Sequence, residues 1–302
     1  MMAAKQPKYS VIVSCGRSLK LFSAFMNSFI RFHDACDIEL MLITPAGYEH
    51  KGDFAKEFFS FKELVIDDIN SCDQLRCKCV LESHTEYIFF FEDHIEFNTN
   101  VLDVVSEKLV NYDCVSWIVK HANPTTFISR LTYYIEYSDW GTGNASREIK
   151  EFLTGHNNAY KRSALIKCGE NLLHYLRSEI TLHRHLVKEG RKLYYTDEVC
   201  ISHHQFEKLM PVLLSSFWFN WNDADGKQKI ERWKKGKRLF YAFAILVKPF
   251  LRLFFYLKKP TVGIRKRLTY MPIVLLIFAI SAFGESCAYL LGTGKSPYFY
   301  NH

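Results

Sequence analysis

The stretch "FFFEDHIEF", residues 89–97, decides the fold because an apolar run leads directly into three polar side chains. The apolar residues that end at Phe91 have the continuous pattern typical of a strand buried on both faces of a parallel sheet. Glu92, Asp93 and His94 follow at once, with no turn residue between. Ligands of open α/β sheets bind at the carboxyl ends of the strands, so these three side chains are predicted to line a site.

Apolar strands alternate with helical patterns along the first two thirds of the chain. The predicted strands are 9–14, 38–44, 63–69 and 87–94, and the predicted helices include 19–32 and a stretch around 72–83. This alternation predicts an α/β fold with a mostly parallel sheet and helices on both faces.

Composition and charge narrow the class of protein. The chain has 302 residues, of which 48% are hydrophobic and 24% charged, which excludes a disordered protein. Nine cysteines without paired spacing or an apolar leader predict reduced thiols in the cytosol. Residues 227–267 hold fourteen Lys and Arg against the single acid Glu231. A basic belt beside apolar segments favours an anionic membrane surface over nucleic acid.

The C-terminal third has a different character from the rest. The predicted domains are a globular α/β domain at 1–210, a basic linker at 211–238 and a membrane-associated helical region at 239–302. Residues 239–247 give only about 14 Å of helix, too short for a span, and with 251–257 they predict an interfacial amphipathic segment. Residues 270–291 give about 33 Å, enough for one transmembrane helix. A re-entrant hairpin and two ordinary helices packed on a soluble domain are the alternatives.

The strand-end residues fit the needs of a divalent metal that holds a diphosphate. Such a metal takes hard oxygen ligands or imidazoles from a rigid strand end and keeps open positions for phosphate. Glu92, Asp93 and His94 supply these groups. The alternative is a strand end whose charged residues reach water.

Four blocks of sequence resemble the family-2 glycosyltransferases of the GT-A fold, in the order and spacing of that family. The blocks are "LRCKCVLESHTEYIFFFEDH" (75–94), "GHNNAYKR" (155–162), "SEITLHRHLVKEGRKLYYTDEVCISHH" (178–204) and "FGESCAYLLGTGKS" (283–296). The first resembles A-R-N-x-G…G-E-Y-I-x-F-L-D-x-D, and the second resembles G-x-N-x-A-x-R-R. The last is similar to the tail of membrane-associated bacterial members. The resemblance therefore implies a GT-A, Rossmann-like domain with C-terminal membrane-associated helices.

The resemblance also implies roles for individual residues. Glu179 takes the place of the catalytic Asp, and His203 takes the place of a late His that can join the metal. The implied donor-binding residues are Ser14, Arg76, Glu92, Asp93 and Asn157, and the implied metal ligands are Asp93, His94 and His203. A structural ion pair is an equal alternative for Arg76. The implied cofactor is Mn²⁺ or Mg²⁺, and a His ligand favours manganese. Thr44 and Pro45 stand where the family has a base-binding Asp, so the nucleotide stays open.

The function implied is that of an inverting glycosyltransferase of the hexosyltransferase type. It would move a sugar from a nucleotide-diphosphate sugar, a UDP-sugar by preference, to a lipid-linked or polysaccharide acceptor of the cell envelope. It would work at the inner membrane, with the catalytic domain facing the cytoplasm and no nucleic-acid partner. Glu179 could act as general base if partial burial raises its pKa toward neutrality.

Two other classes of function stay open. A catalytically inactive relative would serve as a membrane assembly partner in polysaccharide biosynthesis. A nucleotidyltransferase would need a Gly-rich phosphate loop after the first strand, and "SCGRSLK" (14–20) offers one Gly, Arg17 and Lys20.

Overall fold

Two units make up the part of the chain that the computed structural model describes, namely residues 6–49, 54–67, 70–258 and 263–292. The first unit takes its residues from 1–122 and 140–204, and the second takes them from 123–139 and from 205 onward. The predicted strand 63–69 and the predicted helical region 239–302 both extend beyond the described residues. Residue 210, predicted to end the globular domain, lies in a helix, and so does most of the predicted linker 211–238.

A single sheet forms the framework of the first unit. Its strands are β1 (Tyr9–Ser14), β2 (Ile38–Pro45), β3 (Ser60–Ile66), β4 (Tyr87–Glu92), β5 (Ile95–Phe97), β6 (Cys114–His121), β7 (Arg147–Ile149), β8 (Asn158–Lys161) and β9 (Leu193–His203). Their order is β3-β2-β1-β4-β8-β6-β9-β5, with β7 paired to β9. The first four strands of this order run parallel. β8 is antiparallel to both neighbours, so the sheet is mixed beyond β4. The predicted α/β fold is confirmed.

Helices flank the sheet and continue into the second unit. They are α1 (Leu19–Phe32), α2 (Cys72–Glu82), α3 (Val101–Leu109), α4 (Phe127–Tyr137), α5 (Arg162–Ile166), α6 (Leu172–Leu176), α7 (Glu179–Lys188), α8 (Leu209–Ile230), α9 (Lys235–Ala244), α10 (Lys248–Lys258) and α11 (Ile264–Leu291). Short 3₁₀ turns lie at Ala35–Asp37, Phe54–Glu57, Gly169–Asn171 and Ile245–Val247.

Consecutive residues of β4 show why helices cover both faces of the sheet. Side chains alternate along a strand, so Phe90 and Phe91 point to opposite faces. The Phe91 ring meets Phe25 of α1 at a centroid distance of 6.4 Å. Phe90 instead lies under the guanidinium of Arg76 in α2, at 4.5 Å. The continuous apolar run of β4 therefore reflects burial on two sides, as the sequence predicted.

The second unit is built from α4 and α8–α11. A buried cluster joins α4, α8, α10 and α11, formed by Leu131, Tyr134, Val212, Tyr256, Tyr270, Val274 and Ile277. The backbones of α8 and α11 approach closely, because a Cβ at Gly284 would lie 2.2 Å from the carbonyl oxygen of Phe217. Only glycine allows this contact without a shift of one helix.

Two apolar helical segments, Lys235–Lys258 and Ile264–Leu291, are long and apolar enough to cross a membrane. The prediction that the first segment is too short was wrong by this measure, because the chain stays helical through Lys248 and Arg252. The ammonium of Lys248 lies 2.5 Å from the Glu285 carboxylate of α11. The two charges that interrupt the apolar segments in sequence are therefore paired in space. These lengths and compositions are compatible with membrane association.

Candidate active site

The strand pairing brings the ends of β1, β4 and β9 to the same edge of the sheet. The parallel register places Ser14 beside Glu92, the last residue of β4. The antiparallel pairing of β5 and β9 places His203 opposite Ile95, the residue after His94. Residues that are more than a hundred positions apart in sequence thus meet at one strand end.

Glu92, His94 and His203 form a group that could hold a metal ion, since their ligand atoms all lie within 4.8 Å of one another. His203 Nε2 lies 3.1 Å from Glu92 Oε2, and His94 Nε2 lies 3.9 Å from the same oxygen. Burial lowers the pKa of His203 to about 4, against the opposing effect of its hydrogen bond to Glu92. A neutral imidazole is the form that binds a metal. One carboxylate with two imidazoles suits a divalent ion that accepts nitrogen ligands, which favours Mn²⁺ over Mg²⁺.

Asp93 makes different contacts from its two neighbours in sequence. Its Oδ2 accepts hydrogen bonds from the backbone N–H groups of Gly16 and Arg17 at 2.9 and 3.0 Å, and from the Tyr48 hydroxyl at 3.3 Å. Its Oδ1 lies 3.1 Å from Nδ1 of His94. Asp93 thus fixes the loop after β1 and orients the His94 ring. The group that could hold a metal therefore contains Glu92 with His94 and His203. Asp93, which was predicted as a ligand, is not part of it.

Asn157 holds Glu92 through both ends of its amide. Its Oδ1 accepts the backbone N–H of Glu92 at 3.0 Å, and its Nδ2 donates to Glu92 Oε2 at 2.8 Å. Asn157 and the preceding His156 have φ values of 47° and 56°. Two consecutive non-glycine residues in the left-handed region are uncommon and costly, and their hydrogen bonds to the site stabilise them there.

Glu179 begins α7 and is almost fully buried, at 2% exposure. Its Oε1 accepts a hydrogen bond from Arg76 Nη2 at 2.6 Å and lies 3.3 Å from His156 Nδ1. Burial alone would raise the pKa of Glu179, but the charges of His156 and Arg76 outweigh it and hold that pKa well below its usual range. The expectation of a pKa raised toward neutrality was therefore wrong, because it took burial without the two cations.

His156 links the two carboxylates electrostatically. Burial opposes its charge, yet Glu179 and Glu92 together raise the pKa of His156 to about 9. Burial would likewise raise the pKa of Glu92, but His156, His94 and the hydrogen bond from His203 hold it well below its usual range. The sequence prediction missed His156, although it lies within the "GHNN" block. Its role depends on a left-handed backbone conformation, which glycine signals in a sequence more strongly than histidine does.

The remaining predicted residues lie around this centre. Ser14 Oγ accepts a weak hydrogen bond from the Cys72 thiol at 3.6 Å. Arg76 Nη1 donates to the Leu176 carbonyl at 3.1 Å. This bond holds the guanidinium inside the protein, which fits a structural ion pair between Arg76 and Glu179. His204, the residue after His203, contacts a different carboxylate: its Nε2 lies 2.6 Å from Glu96 Oε1, and it is outside the metal-ligand group.

Comparison with known proteins identifies the fold. No family model matches the chain, and no curated protein matches it in sequence. The solved structure of S. aureus TarS 1-349 in complex with UDP is similar, with a TM-score of 0.52, 12% identity, and coverage of 94% of this chain and 92% of that one. TarS 1-349 in complex with UDP-GlcNAc gives 0.49 at 12% identity, over 94% and 92%. GalNAc-T7 with UDP, GalNAc and Mn²⁺ gives 0.42 at 11% identity, over 66% and 44%. The likeness to the UDP complex of TarS shows that this chain has the GT-A fold.

Proposed function

We propose that the protein is an inverting glycosyltransferase that moves a sugar from a UDP-sugar to a lipid-linked or polysaccharide acceptor. One observation carries the proposal: Glu92, His94 and His203 converge at the carboxyl ends of β4 and β9. This is the edge of an α/β sheet where ligands bind. The similar fold of TarS, solved with UDP, supports a nucleotide-diphosphate donor.

Glu92, His94 and His203 are the residues that would hold Mn²⁺ or, less suitably, Mg²⁺. The bound ion would supply Lewis-acid stabilisation of the charge that develops on the leaving diphosphate. Asn157 keeps the Glu92 carboxylate in position through two hydrogen bonds. Asp93 holds the loop after β1 and turns the His94 ring toward the group.

Glu179 is the proposed general base. Both of its short contacts, to Arg76 and His156, use Oε1, and we propose that Oε2 meets the acceptor hydroxyl. Its low pKa keeps it ionised at neutral pH and makes it a weak base. Proton transfer becomes favourable late, as the acceptor oxygen bonds to the anomeric carbon and its own proton becomes more acidic. Attack on the face opposite the leaving diphosphate inverts that carbon.

The second unit supports a membrane-bound acceptor. Its two apolar segments and the basic residues beside them suit a cytoplasmic membrane surface. A lipid-linked acceptor stays at the same surface. Tethering the enzyme to that surface therefore raises the effective concentration of the acceptor at the enzyme.

One observation favours a second candidate, an inactive relative that serves as a membrane assembly partner. Glu179 is locked between two cations, and its low pKa lowers its strength as a base. An inactive relative would keep the fold and the second unit without turnover.

The test is donor turnover by the intact protein in detergent with Mn²⁺, across UDP-, GDP- and dTDP-sugars. Metal-dependent UDP binding is measured in parallel by calorimetry. We expect His94→Ala to lose both metal-dependent binding and turnover, because it removes an imidazole of the metal group. We expect Glu179→Gln to keep UDP binding and lose turnover.

Matched variants control for nonspecific effects. His84→Ala removes an exposed imidazole, and Glu189→Gln removes a carboxylate from the other end of α7. Both should behave like the unaltered protein. UDP binding without turnover of any donor would favour the inactive relative, whereas no metal-dependent binding of any nucleotide would refute the proposal.

A further inference from the structure

A cavity of about 220 Å³ lies in the second unit, and none of its lining residues is one proposed for catalysis. It is lined by the end of α8, by the start of α9 and by Gly292, which follows α11. Because pockets for drug-sized ligands have volumes of roughly 300–1,000 Å³, this one suits a smaller group.

The charge in this cavity is positive. Asp225 is a lining acid, but the Lys229 ammonium lies 2.9 Å from its carboxylate and compensates it. Arg232 and Arg238 also line the cavity, and in the described chain no acidic side chain pairs with either guanidinium. Arg238 Nε donates to the Tyr289 carbonyl at 3.1 Å, which fixes the side chain and leaves its terminal amino groups as donors. Two guanidiniums of this kind form a site for a phosphate, which they can contact through paired hydrogen bonds.

A buried acceptor gives an independent sign of a ligand. Gln228 is only 6% exposed and lines the same cavity. Its Nε2 donates to Asp225 Oδ1 at 3.1 Å and to the Ala288 carbonyl at 3.0 Å, which fixes the orientation of the amide. Its Oε1 is then left without a hydrogen-bond partner among the described residues. A buried acceptor without a donor is unfavourable, so this oxygen calls for an N–H or O–H group from a ligand.

Trp233 supplies the third element of the site. Its ring lines the cavity, and two contacts hold it in place: Nε1–H donates to Glu231 Oε2 at 2.5 Å, and the Lys237 ammonium lies over the ring at 4.1 Å. Tryptophan is common at membrane interfaces because its ring is apolar and its N–H is polar. The cavity also lies where the apolar segment Lys235–Lys258 begins and the segment Ile264–Leu291 ends.

We propose that this cavity binds the phosphate ester of a small polyol, the chemistry of a glycerophospholipid headgroup. Arg232 and Arg238 would bind the phosphate, a ligand hydroxyl would donate to Gln228 Oε1, and Trp233 would cover the carbon chain of the polyol. The same chemistry occurs in a membrane lipid such as phosphatidylglycerol and in a free metabolite such as glycerol 3-phosphate. The proposal does not depend on glycosyl transfer.

The test is binding to the full chain in neutral detergent, measured by thermal shift and by titration of tryptophan fluorescence. The probes are short-chain phosphatidylglycerol, phosphatidylcholine with the same acyl chains, and glycerol 3-phosphate. The site variant combines Arg232→Asn with Arg238→Gln, because Asn tolerates the φ of 51° at position 232. The control variant combines Arg265→Gln with Lys266→Gln, which removes the same charge at the start of α11.

We expect phosphatidylglycerol to bind the unaltered chain and the control variant alike. The site variant should bind it at least about 10-fold more weakly, because hydrogen bonds between charged groups are lost. The double variant Arg232→Lys with Arg238→Lys should bind with an affinity between those of the unaltered chain and the site variant, because it keeps the charge and loses the paired hydrogen bonds. Binding of glycerol 3-phosphate with the same pattern, and no preference for the lipid, would support the site with a soluble ligand as its source.

Two results would overturn the proposal. The first is equal weakening in the site and control variants, which would indicate diffuse attraction between a basic surface and any anion. The second is the absence of any difference between phosphatidylglycerol and phosphatidylcholine together with no binding of glycerol 3-phosphate.

Discussion

Replacement of Arg76 by Met should destabilise the protein strongly. It removes one of the two cationic side chains that lie beside the buried Glu179 carboxylate. Arg76 and Glu179 are 5% and 2% exposed, and the atoms that join them are 2.6 Å apart. Removing one partner of a buried ion pair costs about 3–5 kcal/mol. The lost hydrogen bond to the Leu176 carbonyl adds about 1 kcal/mol. His156 remains beside Glu179 and offsets part of this cost.

Thermal melting and urea unfolding of Arg76→Met measure the effect. For a unit of this size 1 kcal/mol shifts Tm by about 2–4 °C, so we expect a fall of roughly 6–20 °C. Arg184→Met is the matched control, since Arg184 forms an exposed pair with Glu151 at the surface and should cost at most about 1 kcal/mol. The double variant Arg76→Met with Glu179→Gln should be less destabilised than the sum of its parts, because no charge is then left unpaired.

A different outcome would assign Arg76 another role. If Arg76→Met melts within about 1 kcal/mol of the unaltered protein and instead weakens UDP binding, Arg76 contacts phosphate and the structural ion pair is refuted.

Three further predictions concern the metal group, acid stability and helix packing. Asn157→Ala should weaken Mn²⁺ binding by about 10- to 100-fold, because it releases the Glu92 carboxylate that the amide holds. Titration with Mn²⁺, followed by electron paramagnetic resonance, measures the affinity. An unchanged affinity would contradict the prediction. Burial lowers the pKa of His183 from 6.5 to about 4. Between these two pH values the imidazole is protonated in the unfolded chain and neutral in the folded protein. The stability that His183 contributes is therefore complete above pH 6.5 and falls by about 3 kcal/mol as the pH drops to 4. In urea unfolding, His183→Gln should make the free energy of unfolding depend less on pH over that range. An unchanged pH dependence would count against this account. Gly284→Ala should lower the free energy of unfolding by about 1–3 kcal/mol, measured by thermal melting, because its methyl group meets the Phe217 carbonyl. Gly236→Ala, which has open space around it, should not destabilise the protein. Equal effects of the two variants would refute the close approach of α8 and α11.

The sequence predicted the parts of the fold that depend on local pattern. The bounds of β1 and α1 were predicted to the residue, because a β-branched run and a helical spacing of Phe residues leave few alternatives. The antiparallel strand β8 is not among the predicted strands, since "NAYK" is short and its place in the sheet depends on pairing with β4 and β6 on either side.

The chemistry of the site was less accessible from the sequence. That Glu92, His94 and His203 meet follows from strand ends and from the resemblance. The pKa of Glu179 depends on cations from two other elements, which no local pattern reports. The sequence alone underestimates the length of the first apolar segment because Lys248 interrupts its apolar run, and the partner of Lys248, Glu285, lies thirty-seven residues further along.

His156 and Asn157 share one peptide bond, yet their side chains hold two different carboxylates, Glu179 and Glu92. Movement of that peptide would shift both carboxylates at once. The proposed metal group and the proposed general base are therefore coupled through this dipeptide, in addition to the strand and the helix that carry the two carboxylates. A substitution that alters the backbone at 156–157 would therefore be expected to disturb both carboxylates, whereas a change to either carboxylate alone would leave the other in place.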